Sequence, residues 1–359
     1  MDERLRSIIE RIEPLDAAAM AAARARQDRL TKPPGALGRL EELSVWLAGV
    51  RGAPLPQVQK KVIVTAAADH GVARRGVSAY PAEVTGQMVL NFLAGGAAVN
   101  VLARQVGAQV IVVDAGVFSQ PSDDARLIVR APLRGTADLS VGPAMPRKVA
   151  IASLLNGADL AHDVIEHGAD VIGIGDMGIG NTTPSAAITA VFTGLPPAAV
   201  TGRGTGIDDA ALGAKILRIE QAIAVNAPDP TDGVDVLTKI GGLEIGFLAG
   251  VCLGAAAERR PVMVDGFIAT AAALIAVAVA PEAGAYLAAA HRSAEPGHDA
   301  ALAHLGLRPL LDLQMRLGEG TGAALGIGLL EAAARVLSEM ATFDEAGVAD
   351  SDSASAGES

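Results

Sequence analysis

The sequence contains a single cysteine in 359 residues, Cys252, which lies in an apolar run. One cysteine cannot form an intrachain disulfide, and a thiol buried among apolar side chains is unreactive. We therefore predict that Cys252 is a buried, inert side chain and that no disulfide framework supports the fold.

Positive charge is also scarce, with 29 Lys and Arg against 40 Asp and Glu, a formal net charge of −11. The sequence pI is about 5.0. This balance argues against nucleic acid as a partner. A phosphate that binds this chain must therefore be held by backbone N–H groups or by a few well-placed cations.

Long hydrophobic runs are missing too. The longest uncharged apolar run is 268–280, which is shorter than the roughly 18–20 residues that span a bilayer. The first residues, Met1-Asp2-Glu3-Arg4, contain no apolar segment of the kind found in secretory signals. These features predict a cytoplasmic protein with no membrane association.

Several catalytic motifs are absent. The six histidines show no H-x-x-x-H spacing, and no C-x-x-C pair supports them, so we predict no metal site. The sequence contains neither a G-x-x-x-x-G-K-[ST] loop nor a G-x-S-x-G elbow. A P-loop nucleotide triphosphatase and a serine hydrolase of the elbow type are therefore disfavoured.

The sequence is rich in small residues and contains only 3% aromatics. Short β-branched runs alternate with stretches that have helical spacing of their apolar residues. Alternating apolar strands and helices indicate a parallel sheet with helices on both faces. In such sheets, ligands bind beyond the carboxyl ends of the strands. An acidic cleft is predicted there, or else each aspartate caps a turn. The four predicted strands run into Asp69, Asp114, Asp176 and Asp265.

Helical patterns dominate both ends of the chain. Residues 1–60 and 302–343 are predicted to form one small, discontinuous helical domain, with an α/β catalytic domain at 61–301. The acidic tail at 344–359 has few hydrophobic residues and is predicted to be disordered.

Residues 173–184 form the densest glycine signal, a strand that enters a glycine-rich turn and then a helix. Gly178 and Gly180 allow close backbone approach, and a helix beginning near Asn181, Thr182 and Thr183 adds partial positive charge, so a phosphate fits. The alternative is a turn that only packs the helix on the strand. The stretch also matches G-x-G-x-x-G, but no acidic residue follows about 20 positions on, which disfavours NAD.

Two later glycine clusters add charged candidates. Gly204 lies in the first, and Arg203 and Lys215 are candidate cations for a phosphate or carboxylate, or else solvated helix charges. In the second, Glu319 lies between Gly318 and Gly320. It is a candidate catalytic acid or base, or a first-turn glutamate favoured by the helix dipole.

Taken in order, seven stretches resemble the nicotinate-nucleotide–dimethylbenzimidazole phosphoribosyltransferase family of the cobalamin lower-ligand pathway. They cover roughly residues 31–343, which is far more specific than any one glycine motif. The stretches are Lys32-Pro33-Pro34-Gly35-Ala36-Leu37-Gly38, Ala68-Asp69-His70-Gly71-Val72, Tyr80-Pro81-Ala82-Glu83-Val84-Thr85, Gly178-Ile179-Gly180-Asn181-Thr182-Thr183, Gly202-Arg203-Gly204-Thr205-Gly206, Val264-Asp265-Gly266-Phe267 and Arg316-Leu317-Gly318-Glu319-Gly320.

The resemblance implies a homodimer with a Rossmann-like sheet and a small helical domain built from both termini. It implies Glu319 as general base, the nucleotide phosphate around 178–183, and no metal or redox cofactor. The family commonly has Glu where this chain has Asp176, a candidate for easing positive charge on the ribose. The aromatic base is expected near Ser78, Tyr80, Gln87, Met177 and Leu317.

The implied reaction moves a phosphoribosyl group from nicotinate mononucleotide to 5,6-dimethylbenzimidazole or a related base, with inversion at C1′. Two alternatives stay open. A non-catalytic nucleotide-binding regulator of the same fold would keep the 178–183 turn without needing Glu319, and an NAD-dependent oxidoreductase would transfer hydride.

Overall fold

A computed structural model describes residues 2–119 and 121–349. Its centre is a six-stranded, all-parallel sheet in the order β3-β2-β1-β4-β5-β6. The strands are β1 (Lys61–Ala68), β2 (Ala108–Gly116), β3 (Leu127–Val129), β4 (Val171–Met177), β5 (Val262–Val264) and β6 (Leu287–Ala289).

The helices follow the strands in an α/β alternation. Short 3₁₀ segments occur at Gly71–Arg75 and Pro281–Tyr286. The α-helices of the described residues are α1 (Glu3–Glu10), α2 (Ala17–Arg29), α3 (Arg39–Arg51), α4 (Val84–Ala94), α5 (Ala98–Val106), α6 (Arg147–Glu166), α7 (Thr182–Thr193), α8 (Pro197–Val200), α9 (Asp209–Asn226), α10 (Gly233–Ile240), α11 (Leu243–Ala257), α12 (Phe267–Val279), α13 (Gly297–Leu305), α14 (Thr321–Glu339) and α15 (Phe343–Ala346).

The sheet is covered on both faces, as predicted. All eight residues of β1 are buried, and because alternate side chains of a strand point to opposite faces, neither face of β1 meets solvent. The four strands predicted from the sequence are β1, β2, β4 and β5. The strands β3 and β6 were not predicted, because they lie at the edges of the sheet and are only partly buried, whereas the equally short β5 is central and buried at all three positions.

Glycine and alanine, rather than aromatic residues, make the helix packing close. A Cβ on Gly157 of α6 would lie 1.9 Å from the carbonyl oxygen of Phe247, and one on Gly250 of α11 would lie 1.9 Å from that of Leu154. No side chain fits between these backbones. The pair α6 and α11 therefore explains why the composition is poor in aromatics and rich in small residues.

The chain divides into two compact units, and each is described by itself. One comprises Met1–Glu13 and Lys60–Ile327, and the other comprises Pro14–Gln59 and the described part of Gly328–Ser359. The second unit is helical, with a core of Ala23, Val45, Ala48 and Leu337.

These boundaries differ from the predicted ones. Residues 1–13 and 302–327 belong to the unit that contains the sheet, not to the helical unit. For 306–320, the reason is that this stretch is an irregular loop lying over the ends of the strands, with its Gly320 N–H bonded to Asp265. The helical pattern of the neighbouring sequence cannot predict such a tertiary contact.

The predicted disorder of 344–359 is wrong for its first residues. Phe343–Ala346 form a short helix because Thr342 and Glu345 make a reciprocal capping box. Residues 350–359 of that prediction lie outside the described residues.

Two described segments, Val84–Val106 and Thr321–Glu339, are long and apolar enough to cross a membrane by length and composition alone. The first of them is two helices, α4 and α5, separated at Gly95. Buried helices of many soluble proteins meet the same criterion, so the composition of these segments does not argue for a membrane.

The candidate site lies where the strand order changes direction, between β1 and β4. These two strands pair in register from Lys61 opposite Val171 to Ala67 opposite Met177. Chain connections leave in opposite directions on the two sides of this point, which opens a crevice at the carboxyl ends of the strands. Asp69 and Asp176 both lie at this edge.

Candidate active site

Glu319 occupies a strained backbone conformation at the carboxyl edge of the sheet. Its φ is +66°, a region that residues with a Cβ rarely adopt. Hydrogen bonds hold it there on both sides: its N–H donates to the Asp176 carbonyl at 3.1 Å, and its carbonyl accepts from the Thr65 hydroxyl at 2.7 Å. The side chain is buried, at 5% exposed. Backbone strain at a buried acid is typical of a functional residue.

The loop that carries Glu319 is tied down by Asp265. One carboxylate oxygen accepts from the Gly320 N–H at 3.0 Å, and the other accepts from Gly322 at 2.6 Å and Ala323 at 3.0 Å. Asp265 therefore caps the start of α14 from a neighbouring strand. The sequence places Asp265 in the predicted acidic cleft where a substrate would bind, but its oxygens accept from backbone donors, so its contacts are those of a positioning residue.

Burial raises the pKa of the Glu319 carboxyl above its ordinary value. A hydrogen bond from the Val99 backbone opposes this, and the negative charge of Asp265 adds to it. Among the described residues, Glu319 Oε2 has no hydrogen-bond partner. A buried carboxylate with a raised pKa and a free oxygen is suited to accept a proton from a ligand.

Asp176 lies beside the Glu319 loop. Burial raises its pKa to about 8, and the charges of Asp265, Glu244 and Glu319 add to the shift against a hydrogen bond from Asn181. That bond runs from Asn181 Nδ2 to Asp176 Oδ2 at 2.8 Å. Without substrate, Asp176 is thus mostly protonated at neutral pH.

We expect the Asp176→Asn variant to melt at a higher temperature than the wild type at pH 8, with the difference closing toward pH 4. Asparagine imitates the protonated acid. Because folding raises the pKa of Asp176 from 3.8 to about 8, the folded state binds more protons than the unfolded chain in this window, and wild-type stability falls as pH rises through it. Calorimetry at several pH values measures the difference.

The control for that experiment is Asp299→Asn. Arg292 lowers the pKa of Asp299 below its ordinary value of 3.8, so the stability that this exposed ion pair supplies is already present at pH 4, and this variant should differ from the wild type nearly equally at pH 4 and pH 8. A melting difference for Asp176→Asn that is equal at pH 4 and pH 8 would contradict the expectation.

The glycine turn after β4 leads directly into α7, as predicted. Gly180 has a φ of +90°, and α7 begins at Thr182 with no side-chain cap from Asn181. The Thr183 hydroxyl is buried and has no hydrogen-bond partner among the described residues. Free donors at a helix start are suited to an anion.

Lys215 brings a buried cation to the same place. Its ammonium donates to the Thr182 hydroxyl at 2.7 Å and to the Gly202 carbonyl at 3.0 Å. The side chain is fully buried, and desolvation lowers its pKa to about 8, opposed by the charge of Glu295. The structure therefore places Lys215 beside the glycine turn.

Arg203, the other predicted cation, is engaged elsewhere. Its guanidinium bonds the Ile207 carbonyl at 2.9 Å and pairs with Asp209. This exposed pair closes its own loop, so of the two cations only Lys215 is seen to contact the turn. Gly204, in the same loop, adopts a φ of +53°.

The loop 202–206 lies between the glycine turn and the residues predicted to bind the aromatic base. Thr205 Oγ1 accepts from the Ala79 N–H at 2.9 Å and lies 3.0 Å from the Ser78 hydroxyl. On the other side, Arg316 donates to the Gly204 carbonyl at 2.8 Å. Three sequence motifs far apart in the chain thus meet here.

The remaining predicted base-site residues lie around this meeting point. Tyr80 and Leu317 expose 56% and 58% of their surface, unusually much for large apolar side chains. Met177 ends β4 and is half-buried, and Gln87 is exposed on α4. The helix α4 is itself tied to the turn, because Thr85 accepts from the Ile179 N–H at 3.1 Å.

Two buried groups under the turn were not predicted. His70 Nε2 lies 2.6 Å from Glu244 Oε1, both side chains are fully buried, and Glu244 raises the pKa of His70 against the desolvation that lowers it. A Cβ on Gly178 would fall 3.2 Å from His70 Nε2. The available signal was Glu244 itself, the one acid in the apolar helix 243–257.

The four strand-end aspartates have different surroundings. Asp114 accepts from the Gly116 and Val117 N–H groups and pairs with Arg134, so for this residue the turn-capping interpretation holds. Asp69 accepts from the Phe118 N–H at 2.8 Å, and burial raises its pKa. Within residues 2–119 and 121–349, no three His, Cys, Asp or Glu side chains are arranged to hold a metal ion.

The fold and site together indicate an α/β enzyme with a glycine turn at a helix start beside buried carboxylates. The phosphoribosyltransferase family model matches residues 12–348. The chain therefore belongs to this phosphoribosyltransferase family, as the sequence resemblance predicted.

Curated relatives agree across almost the whole chain. The nicotinate-nucleotide–dimethylbenzimidazole phosphoribosyltransferase of Roseiflexus sp. (strain RS-1) is 61% identical over 96% of this chain and 98% of its own length. The protein of that name from Geobacter sulfurreducens is 56% identical over 97% of this chain and 99% of its own length.

Solved structures give the same answer for the fold. The crystal structure of CobT from Thermus thermophilus is similar with a TM-score of 0.89 and 49% identity, covering 92% of this chain and 99% of that one. A nicotinate-nucleotide–dimethylbenzimidazole phosphoribosyltransferase from the same organism has a TM-score of 0.88 and 47% identity, covering 94% and 100%. The predicted fold class and enzyme class are confirmed.

Proposed function

We propose that this enzyme transfers the 5-phosphoribosyl group of nicotinate mononucleotide to 5,6-dimethylbenzimidazole or a related base, releasing nicotinate and forming α-ribazole 5′-phosphate. The names of the relatives support these substrates. The observation that carries the proposal is the buried Glu319 carboxylate, which lies beside Asp176 and hence beside the glycine turn.

One carboxylate suffices for this chemistry. Nicotinate leaves a cationic pyridinium as a neutral ring, so its departure needs no acid. The incoming benzimidazole attacks C1′ through one ring nitrogen, and the proton on its other nitrogen passes to Glu319. General-base catalysis of this type contributes about 10²–10⁴-fold in rate. Attack opposite to the departing nicotinate inverts C1′ and gives the α-riboside.

Asp176 eases the positive charge that develops on the ribose. It can do so only when ionised, and burial raises its pKa to about 8. The pyridinium of the substrate supplies the opposite charge that lowers this pKa, so Asp176 loses its proton as the nucleotide binds. The shorter aspartate keeps the carboxylate that a glutamate supplies in most of the family.

The phosphate binds at the start of α7. Backbone N–H groups of the turn, with Gly178 and Gly180, approach it closely, and the hydroxyls of Thr182 and Thr183 contact it with Asn181 nearby. Lys215 supplies the cation. The uncommitted Thr183 hydroxyl and the Lys215–Thr182 contact at 2.7 Å support this placement.

The aromatic base lies against the exposed side chains of Tyr80 and Leu317. The residues Met177, Ser78 and Gln87 lie alongside. Arg203 and Gly204 support this side through their loop, and Asp265 acts through the Glu319 loop.

No cofactor is required, because no step is a redox step. We further propose that the protein is a cytoplasmic homodimer and binds neither membrane nor nucleic acid. Light scattering of the purified protein tests the oligomeric state.

Direct assay tests the proposal. Purified protein is incubated with nicotinate mononucleotide and a panel of benzimidazole, purine and phenolic bases, and nicotinate release is measured. Release that depends on the added base supports the transferase. Nucleotide binding without release would favour a non-catalytic regulator, and hydride transfer seen by absorbance would favour an NAD-dependent oxidoreductase.

Replacing Lys215 by methionine should raise the Kd for nicotinate mononucleotide by about 10–100-fold, the loss expected for one hydrogen bond between charged partners. Methionine keeps most of the apolar stem in its buried channel. Calorimetric titration at pH 7 measures the change, with Arg203→Met as control. If Arg203→Met weakens binding as much as Lys215→Met, the assignment of the cation is wrong.

A further inference from the structure

Glu295 is a buried acid at the phosphate side of the site that the sequence did not single out. It lies in the turn between β6 and α13 and is 7% exposed. Its Oε1 accepts from the Gly204 N–H at 3.1 Å. Its Oε2 is buried and, among the described residues, has no hydrogen-bond partner.

The loop 202–206 is shaped around this carboxylate. A Cβ on Gly202 would lie 2.0 Å from Glu295 Oε2, so only glycine fits there. The Gly202 carbonyl in turn accepts from the Lys215 ammonium. Glu295 and Lys215 thus hold the same loop segment, one through Gly204 and the other through Gly202.

The charge of Glu295 also acts on Lys215. Desolvation lowers the pKa of Lys215, and Glu295 is the charged group that opposes it. The other charges of this loop, Arg203 and Asp209, pair with one another. A lysine ammonium has three donors, and two of them are committed to Thr182 and Gly202, which leaves one for a ligand.

We propose that Glu295 is a positioning residue of the phosphate subsite, which anchors the loop 202–206 through Gly204 and supplies the counter-charge that keeps Lys215 a cation. The inference rests on the proposed function, because it assigns Lys215 to the nucleotide phosphate. Glu295 itself does not touch the substrate and acts through Lys215 and the loop.

The test is Glu295→Gln, which keeps an oxygen for the Gly204 N–H and removes the charge. Without the counter-charge, the pKa of Lys215 falls below about 8. As pH rises, Lys215 then loses its proton at a lower pH than in the wild type, and the nucleotide affinity falls with it. One unit of pKa shift lowers the protonated fraction of Lys215 at pH 8 from about one half to about one tenth, which corresponds to about a fivefold higher KM for nicotinate mononucleotide. Near pH 6 the KM should be unchanged, and kcat should be unchanged throughout.

Two other results would overturn the inference. A rise in KM that is the same at every pH means that Glu295 only supports the loop. A lower KM at every pH means that its charge merely repels the phosphate. Asp299→Asn, an exposed acid on α13, is the matched control and should leave the KM profile unchanged.

A second measurement does not depend on turnover. The Lys215 amine is titrated by NMR in wild type and Glu295→Gln, with Lys215→Met used to assign the signal. A lower pKa in the variant supports the inference, and an equal or higher one refutes it. If the wild type fails to bind nicotinate mononucleotide, the proposed function fails while this titration still decides the role of Glu295.

Discussion

Glu319→Gln will lower kcat by about 10²–10⁴-fold and leave the Kd for nicotinate mononucleotide within about twofold. Glutamine keeps the size of the side chain and the hydrogen bonds of its backbone, since the Thr65 and Asp176 contacts involve only main-chain atoms of Glu319. What it loses is the ability to take the proton from the attacking base. Stopped-flow turnover with calorimetric titration separates the two effects.

The same experiment has a pH signature. Because burial raises the pKa of Glu319, the carboxylate is protonated at a higher pH than an ordinary glutamate. Wild-type kcat should therefore fall as pH decreases through that raised pKa, and the residual rate of Glu319→Gln should lack this limb. Glu282→Gln, an exposed acid of the same unit, is the control. Wild-type turnover retained in Glu319→Gln would remove this residue from the base role.

Asp265→Asn should cost both stability and turnover. One amide cannot accept all three hydrogen bonds from Gly320, Gly322 and Ala323, and its N–H₂ faces donors. Leaving a buried donor unsatisfied costs about 1–3 kcal/mol in the free energy of unfolding. The freed loop relaxes the strained φ of Glu319, and a displacement of about 1 Å at a reacting group costs about 10²-fold in kcat.

Asp114→Asn is the matched control, because Asp114 is also a buried strand-end cap that accepts from two backbone N–H groups. It should lose comparable stability, measured by urea unfolding, yet keep kcat within about twofold. Equal losses of kcat in both variants would show that Asp265 contributes only general stability. The contrast isolates the positioning of Glu319 from the capping energy.

The sheet could be predicted from the sequence because its strands are buried on both faces. A strand such as β1 must be apolar at every position, and the pattern is visible without any knowledge of its neighbours. The edge strands β3 and β6 could not be predicted, since an edge strand is only partly buried and lacks the continuous apolar run that marks the equally short central strand β5. The predicted boundary of the helical domain was wrong near 306–320. There, a tertiary hydrogen bond to Asp265, and not local helix propensity, determines the course of the backbone.

The site divides in the same way. The glycine turn is visible in the sequence because glycine allows close backbone approach to an anion, and Glu319 is visible because Gly318 and Gly320 flank it. Glu295, His70 and Glu244 are not, because a buried acid becomes informative only once its partners are known, and those partners lie 91 and 174 residues away.

By itself, the sequence determined the parallel α/β fold and the enzyme family and predicted Glu319 as the candidate base, since each depends on local pattern or on motifs in order. Only the tertiary structure decided that Asp265 holds a loop, that Arg203 is already paired, and that Lys215 lies beside the turn. Burial and neighbouring charges set the protonation states of these groups, and both arise from residues that meet only when the chain has folded.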